Sequence, residues 1–328
     1  MRSRVATVGV ALAASSLMLF GCNRRKSAPP PPGPVEWIAD PLPGAPDTIR
    51  IAGIAGPSAN DMWAVGWGIF HFDGKAWSEM TPPELKGVGT ALTSMSYVSP
   101  TNIWAAGVNG HVAHYDGKAW KGEQIESARV STSPSVKGYF DLLAVTAWEN
   151  EVWVADSRAG YHRFDGKSWT FVSVPTITGR TIQTLWGSSP ADVWSPLSLL
   201  HYANGTWSTF ATPLSSYEHA RGLAPNDVWF AGWRGSSKDS QGAIGRFDGT
   251  SIRDVPVPAG TPMLWDVFPR SSDEVYAVGV DGWSLVWDGS SWKPLATGVT
   301  GVLQTVFSPA KGVAFAGGTI GPVILRRR

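Results

Sequence analysis

The chain has 328 residues, a nearly balanced charge of 27 Lys and Arg against 26 Asp and Glu, and one cysteine, Cys22. A single cysteine excludes an intrachain disulfide framework, and 43% hydrophobic residues with 18 Trp exclude a disordered polymer. The balance hides an asymmetry: residues 35–325 hold all 26 acids but only 19 of the 27 bases, a net −7, because Arg2, Arg4, Arg24, Arg25, Lys26 and Arg326–Arg328 lie outside. That sign argues against nucleic acid as a partner and allows basic partners, or merely serves solubility.

In chain order, Met1–Gly21 reads as an export signal. Arg2 and Arg4 give the positive start, and Val5–Phe20 is an apolar stretch too short for a comfortable membrane span. It ends in Leu19-Phe20-Gly21-Cys22, which resembles the lipobox of bacterial lipoproteins, with Phe20 where that pattern has a small residue. The resemblance implies a Cys22 acylated through sulfur (a palmitate-type anchor), the first residue of a mature protein held by its lipid in the bacterial cell envelope, with the outer membrane as the expected site. Asn23–Pro34, with prolines at 29–32, reads as an extended tether reaching about 35 Å at roughly 3.1 Å per residue. Residues 35–328 are left as one domain.

In that domain one block recurs. It reads Asp-Met-Trp-Ala-Val-Gly at Asp61–Gly66, followed by His-Phe-Asp-Gly-Lys-Ala-Trp at His71–Trp77. Further copies are Asn102–Gly107 with His114–Trp120, Glu151–Ala155 with Arg163–Trp169, and Asp192–Trp194 with His201–Trp207. Weaker ones are Asp227–Gly232 with Arg246–Ile252 and Glu274–Gly279 with Val286–Trp292, and a partial copy is Val313–Gly318. A period of about 35–50 residues with strand-like content marks the blades of a β-propeller. Within a unit four short runs carry strand signals, as at Leu92–Val98, Ile103–Gly107, Val112–Tyr115 and from Trp120 on. Asp116-Gly117 reads as the hairpin turn, since Gly tolerates the positive φ such turns need. No stretch sustains helical spacing. The prediction is an all-β, seven-bladed propeller. Its last unit lacks a fourth strand, and Val35–Ala39 matches the fourth strand of other units, so this N-terminal strand is predicted to complete the seventh blade and close the ring.

Two tryptophan columns follow the repeat: Trp63, Trp104, Trp153, Trp194 and Trp229, and then Trp37, Trp77, Trp120, Trp169, Trp207 and Trp292. Both read as wedge filling between blades, because a fixed aromatic in every blade serves packing rather than one site. A polar pair of columns reads the same way. Asp61, Asn102, Glu151, Asp192 and Asp227 open the second strands; His71, His114, Arg163, His201 and Arg246 sit near the ends of the third. Those places are neighbours in an antiparallel hairpin, which predicts five structural pairs, with none in the sixth unit, where Val286 takes the basic place. WD-repeat propellers use a comparable Asp–His network.

Function is predicted on one face. The tether and the basic C-terminus should leave the ring on the side of the short Asp-Gly turns and turn it toward the membrane beside six bases. The second-to-third-strand tips and the links between blades would point away. Trp67, Tyr161, Trp233 and Trp283 fall on those tips outside the columns, with Arg158 and Arg234 close by in sequence. Aromatics beside polar groups on loops form binding surfaces for peptides or sugars, so these six are the candidate binding face.

No catalytic residue is assigned: Gly-x-Ser-x-Gly, His-Glu-x-x-His and phosphate-loop patterns are all missing, and no cofactor is implied. No metal site is expected either; His111 and His114 fall on opposite faces of one strand. Asn204-Gly205-Thr206 fits a glycosylation acceptor but occupies a hairpin-turn position. The Asp-Gly-x-x-Trp turns, as at Asp73–Trp77 and Asp165–Trp169, resemble the Asp-box turns of sialidase-type propellers, without the wider Ser-x-Asp-x-Gly pattern or a placeable arginine triad. The lipid anchor with Asp-Gly-Lys-x-Trp resembles the quinoprotein-like repeats of outer-membrane assembly lipoproteins, whose Thr-Gly-Lys is missing. In detail the chain is most similar to secreted bacterial proteins with tandem Asp-Val-Trp-Ala-Val-Gly and Asp-Gly-x-x-Trp units, a resemblance that implies fold only. The expected function is therefore a non-catalytic, monomeric binding or scaffold module for an envelope protein or glycan. The alternatives are a glycan hydrolase of sialidase-like architecture and an accessory lipoprotein of outer-membrane assembly.

Overall fold

The structure, a computed structural model, describes residues 33–87, 91–126, 139–157, 160–172, 184–236 and 240–327. The signal segment, Cys22 and most of the tether lie outside these residues. Seven four-stranded antiparallel sheets form a closed ring, a seven-bladed β-propeller. In each sheet the first strand packs against the first strands of its neighbours and lines the axis. The second, third and fourth strands step outward.

Chain-distant strands make the closing blade. Val302–Ala310, Val313–Thr319 and Val323–Arg327 are joined on the outer edge by Trp37–Pro41, in a register running from Trp37 opposite Arg327 to Pro41 opposite Val323. The strand starts and ends two residues later than the sequence suggests, because Val35 bridges to Ala296 and the Glu36 amide bonds the Ala296 carbonyl of blade six. Arg326 binds Asp40 through both nitrogens of its fork, at 2.6 and 2.9 Å, and Arg327 binds Glu36. These arginines therefore seal the ring, which corrects the expectation that they extend a free basic cluster.

The short turns form as their sequence requires. Asp73, Asp116, Asp165, Asp248 and Asp288 each accept two backbone amides from the residues that follow. Those amides hold the Asp73 and Asp165 carboxyls below their ordinary range. Blade four replaces this turn with Asn204-Gly205, both at positive φ, so that segment is a hairpin turn.

Aromatic wedges join the blades as the columns predict. Trp63 meets Tyr115 and Trp120 of the next blade, Trp104 meets Phe164 and Trp169, Trp153 meets Tyr202 and Trp207, and Trp229 meets Trp287 and Trp292. Blade five has Ile252 in place of the outer Trp, and Trp194 packs there on Phe230 and Phe247. Phe315 of blade seven completes the circuit on Phe72 and Trp77.

All five polar pairs form. His71 reaches Asp61 at 2.8 Å, His114 reaches Asn102 at 3.1 Å and His201 reaches Asp192 at 2.6 Å; Arg163 and Arg246 grip Glu151 and Asp227 by two bonds each. Each base also lies on the second-strand Trp opposite it in register, as His71 does on Trp63 and Arg246 on Trp229. In blade six Glu274 turns instead to Arg270, Tyr276 and the Gly312 amide.

Candidate functional site

The tip face carries a regular irregularity. In six blades the innermost strand slips register against its neighbour near its start. The extra residue is Ala52, Thr93, Leu143, Glu218, Trp265 or Gln304. A bulge re-aims one side chain out of the ladder, so six side chains near the axial mouth leave the regular alternation of their strands. In five of these blades a glycine at the end of the second strand permits this, and in blade three Asp156 stands there. A Cβ on Gly66 would stand 1.8 Å from the Arg50 carbonyl oxygen, and one on Gly232 2.0 Å from that of Ser216.

Blades five and six place the polar members of this mouth. Asp266, fully buried, accepts its own neighbour's amide at Val267, the amide of Val306 in blade seven at 3.0 Å, and a bond to Nδ1 of His219 in blade five at 3.1 Å. Burial alone would raise its carboxyl; His219, Arg221 and the Val306 amide outweigh that and hold it below the ordinary carboxylate range. Glu218, the bulged residue beside His219, is 9% exposed. Its Oε1 accepts from Trp233 Nε1 at 3.2 Å and from Ser216 Oγ at 3.3 Å, and Thr184 of blade four donates to its backbone carbonyl. Burial pushes this carboxyl above its ordinary range. Between the adjacent blades one and seven, Arg50 donates to Gln304 at 2.7 Å.

The candidate binding residues divide. Trp67 is 58% exposed on its Gly66–Gly68 tip, as the sequence suggests. Trp233 is half-buried on Glu218, and Arg234 is paired with Asp254 beside a shallow cleft of about 150 Å³. Two expectations are corrected. Tyr161 is fully buried, stacked on Trp207 of the next blade with centroids 4.5 Å apart, because it opens the third strand and points into the wedge. Trp283 is 5% exposed: the turn Val280–Gly282, with Asp281 and Gly282 at positive φ, folds it back into the core shared by blades five and six. Arg158 lies outside the described residues.

Two further features went unread in the sequence. His162 and Asp156 form a buried pair at 3.2 Å under the blade-three tip. On the turn face a cleft of about 500 Å³ opens between blades four and five, lined by Trp186, Ser188, Asp192 and Leu223. No cluster of three or more His, Cys, Asp or Glu with metal-holding geometry occurs among the described residues. Arg163, Arg234, Arg246, Arg253, Arg270, Arg326 and Arg327 are each paired with a carboxylate.

No family model and no curated protein matches the chain. Solved structures do match over nearly its whole length. YCF48 bound to D1 peptide aligns with a TM-score of 0.65 at 18% identity, over 91% of this chain and 98% of that one. YCF48 from Cyanidioschyzon merolae aligns with 0.65 at 16% identity, over 90% and 99%. The WD40 β-propeller domain of Doa1 aligns with 0.65 at 12% identity, over 89% and 97%. At such identities the likeness is one of fold.

Proposed function

We propose that the protein is a non-catalytic binding module that captures a protein partner on the face of its tips and blade links, while a lipid on Cys22 holds it in the bacterial cell envelope. One observation carries the reading: the repeat's aromatics are used up between blades, whereas Trp67 stands exposed on a tip. Exposed aromatics dominate protein contacts, and a monomeric fold has no packing use for one held in water. The likeness to a propeller solved with a bound peptide makes peptide capture on this fold reasonable. The net −7 of the body favours a basic partner.

The test is capture from solubilised envelopes by the lipidated full chain, compared with Trp67→Ala. A partner retained by the wild type and lost from the variant, at unchanged melting temperature, is the expected result. Equal capture by both would overturn the assignment to this face. Cys22→Ser tests the anchor separately: the variant should leave the membrane fraction and take up no labelled fatty acid, and unchanged partition would remove the anchor from the proposal.

A further inference from the structure

Among the described residues, the acids that leave water have acquired a base. Glu151 has Arg163, Asp227 has Arg246, Asp40 has Arg326, Asp156 has His162 and Asp266 has His219. Glu218 is the exception. It is as buried as these, yet no described Lys or Arg pairs with it; the neighbouring His219, whose charge favours the carboxylate, has its Nδ1 bonded to Asp266 and makes no hydrogen bond to Glu218. Both of its side-chain hydrogen bonds fall on Oε1. Oε2 receives none, and it is not among the buried atoms sealed from solvent.

A carboxylate removed from water without a compensating charge is costly, and such a group either neutralises or finds a cation. Burial raises the Glu218 carboxyl above its ordinary range. The fold nevertheless builds this position. The bulge at Glu218 takes it out of the ladder, Gly232 lets the two backbones close to make that bulge, and Trp233 and Ser216 fix one oxygen so that the other is presented. The Trp233 indole lies beside it, and an aromatic ring adds attraction for a cation.

We propose that Glu218 and Trp233 form a subsite at the axial mouth for one basic side chain, the guanidinium or ammonium group of a bound peptide. The proposal rests on the protein-capture reading and adds its chemistry: the partner's cation completes the pair that the chain leaves open, with Oε2 as acceptor. Glu218 then discriminates against neutral partners, since a neutral side chain there would leave the carboxylate buried and uncompensated.

The experiment selects binders from a random peptide library on the lipidated full chain in detergent, then measures Kd for each selected peptide and for its citrulline or acetyl-lysine counterpart. Wild type, Glu218→Gln and Glu218→Asp are compared, with melting curves to establish that each variant is folded. The expected result is selection of peptides with Arg or Lys, a loss of about tenfold or more when the base is neutralised, and the same loss in Glu218→Gln with the unmodified peptide. The neutralised peptide should bind wild type no more tightly than Glu218→Gln, and Glu218→Asp should recover part of the loss. Selected peptides without basic residues, weakened by Trp67→Ala but not by Glu218→Gln, would overturn the subsite and leave the capture reading standing. A library yielding no binder at all would overturn both.

Discussion

His201 lies flat on Trp194, ring centroids 3.7 Å apart and planes 14° from parallel, while its Nε2 bonds Asp192 at 2.6 Å. One side chain thus joins the polar clasp of a hairpin to the aromatic wedge of a blade. The motif recurs at His71 on Trp63 and His114 on Trp104. Arginine does the same by cation–π contact at Arg246 over Trp229. The repeat's acid, base and tryptophan are therefore one structural unit, which explains why they return together.

His201→Ala is expected to cost about 1–3 kcal/mol, since it leaves the mostly buried Asp192 with only the Ser188 hydroxyl among side-chain partners and uncovers Trp194. His71→Ala should cost less, because the Asp61 side chain is 45% exposed and water can replace the lost bond. Thermal melts of the two variants check the ranking. Equal losses would mean that the ring contact rather than the clasp supplies the stability.

Closure depends on an ion pair between the two ends of the chain. Asp40→Ala leaves Arg326, 9% exposed and lying over Phe72, without its carboxylate. Breaking one partner of a buried pair typically costs about 3–5 kcal/mol, and here the loss falls on the strand that completes the ring. A large drop in melting temperature, with earlier protease cleavage near Trp37, is expected. An unshifted melt would show that the seventh blade holds without this ion pair, by the strand pairing of Trp37–Pro41 alone.

Glu218 should make stability depend on pH in a particular sense. Its folded pKa lies above the ordinary 4.5 because burial penalises the charged form. The contribution is then fully present below about pH 4.5 and lost as pH rises through the folded value. Glu218→Gln keeps an oxygen for Trp233 and Ser216 but never ionises. The variant should therefore melt a few degrees above wild type at pH 8, and the gap should close toward pH 4.5. His219, the neighbouring residue, favours the carboxylate form, and its Nδ1 lies on Asp266. A gap that widens on acidification would show that Glu218 is stabilised as a carboxylate.

The sequence displayed the ring because the residues that build it must repeat. Asp-Gly turns, wedge tryptophans and clasp pairs each obey a local rule, and most blades obey the same one. The missing pair of blade six was legible for the same reason, through Val286. The bulges were not legible, because Ala52, Thr93, Glu218 and Trp265 share a backbone position and no chemistry. In five blades their trace is the glycine closing Asp61–Gly66 and its copies, which reads as a strand end until a Cβ there is seen to meet the backbone of the innermost strand; blade three, with Asp156 there, lacks even that. Tip residues failed for a related reason: falling outside a repeat column fixes neither exposure nor burial.

Trp67 and Trp283 test that last point, since both stand on tips outside the columns. Trp67 lies between Gly66 and Gly68 with 58% of its surface in water, so Trp67→Ala should shift stability by no more than about 0.5 kcal/mol. Trp283 follows Gly282, whose positive φ turns the chain inward, and it packs in the core with Trp229, Ile244 and Leu285. Trp283→Ala removes an indole from a site too tight to collapse fully and should cost about 3–5 kcal/mol. Binding should respond in the opposite order, with partner capture weakened by Trp67→Ala and, at temperatures where the variant stays folded, little changed by Trp283→Ala. Denaturant titrations with capture assays on the same preparations check both halves. A Trp67→Ala protein that unfolds early would place that side chain in the core and remove the binding face with it.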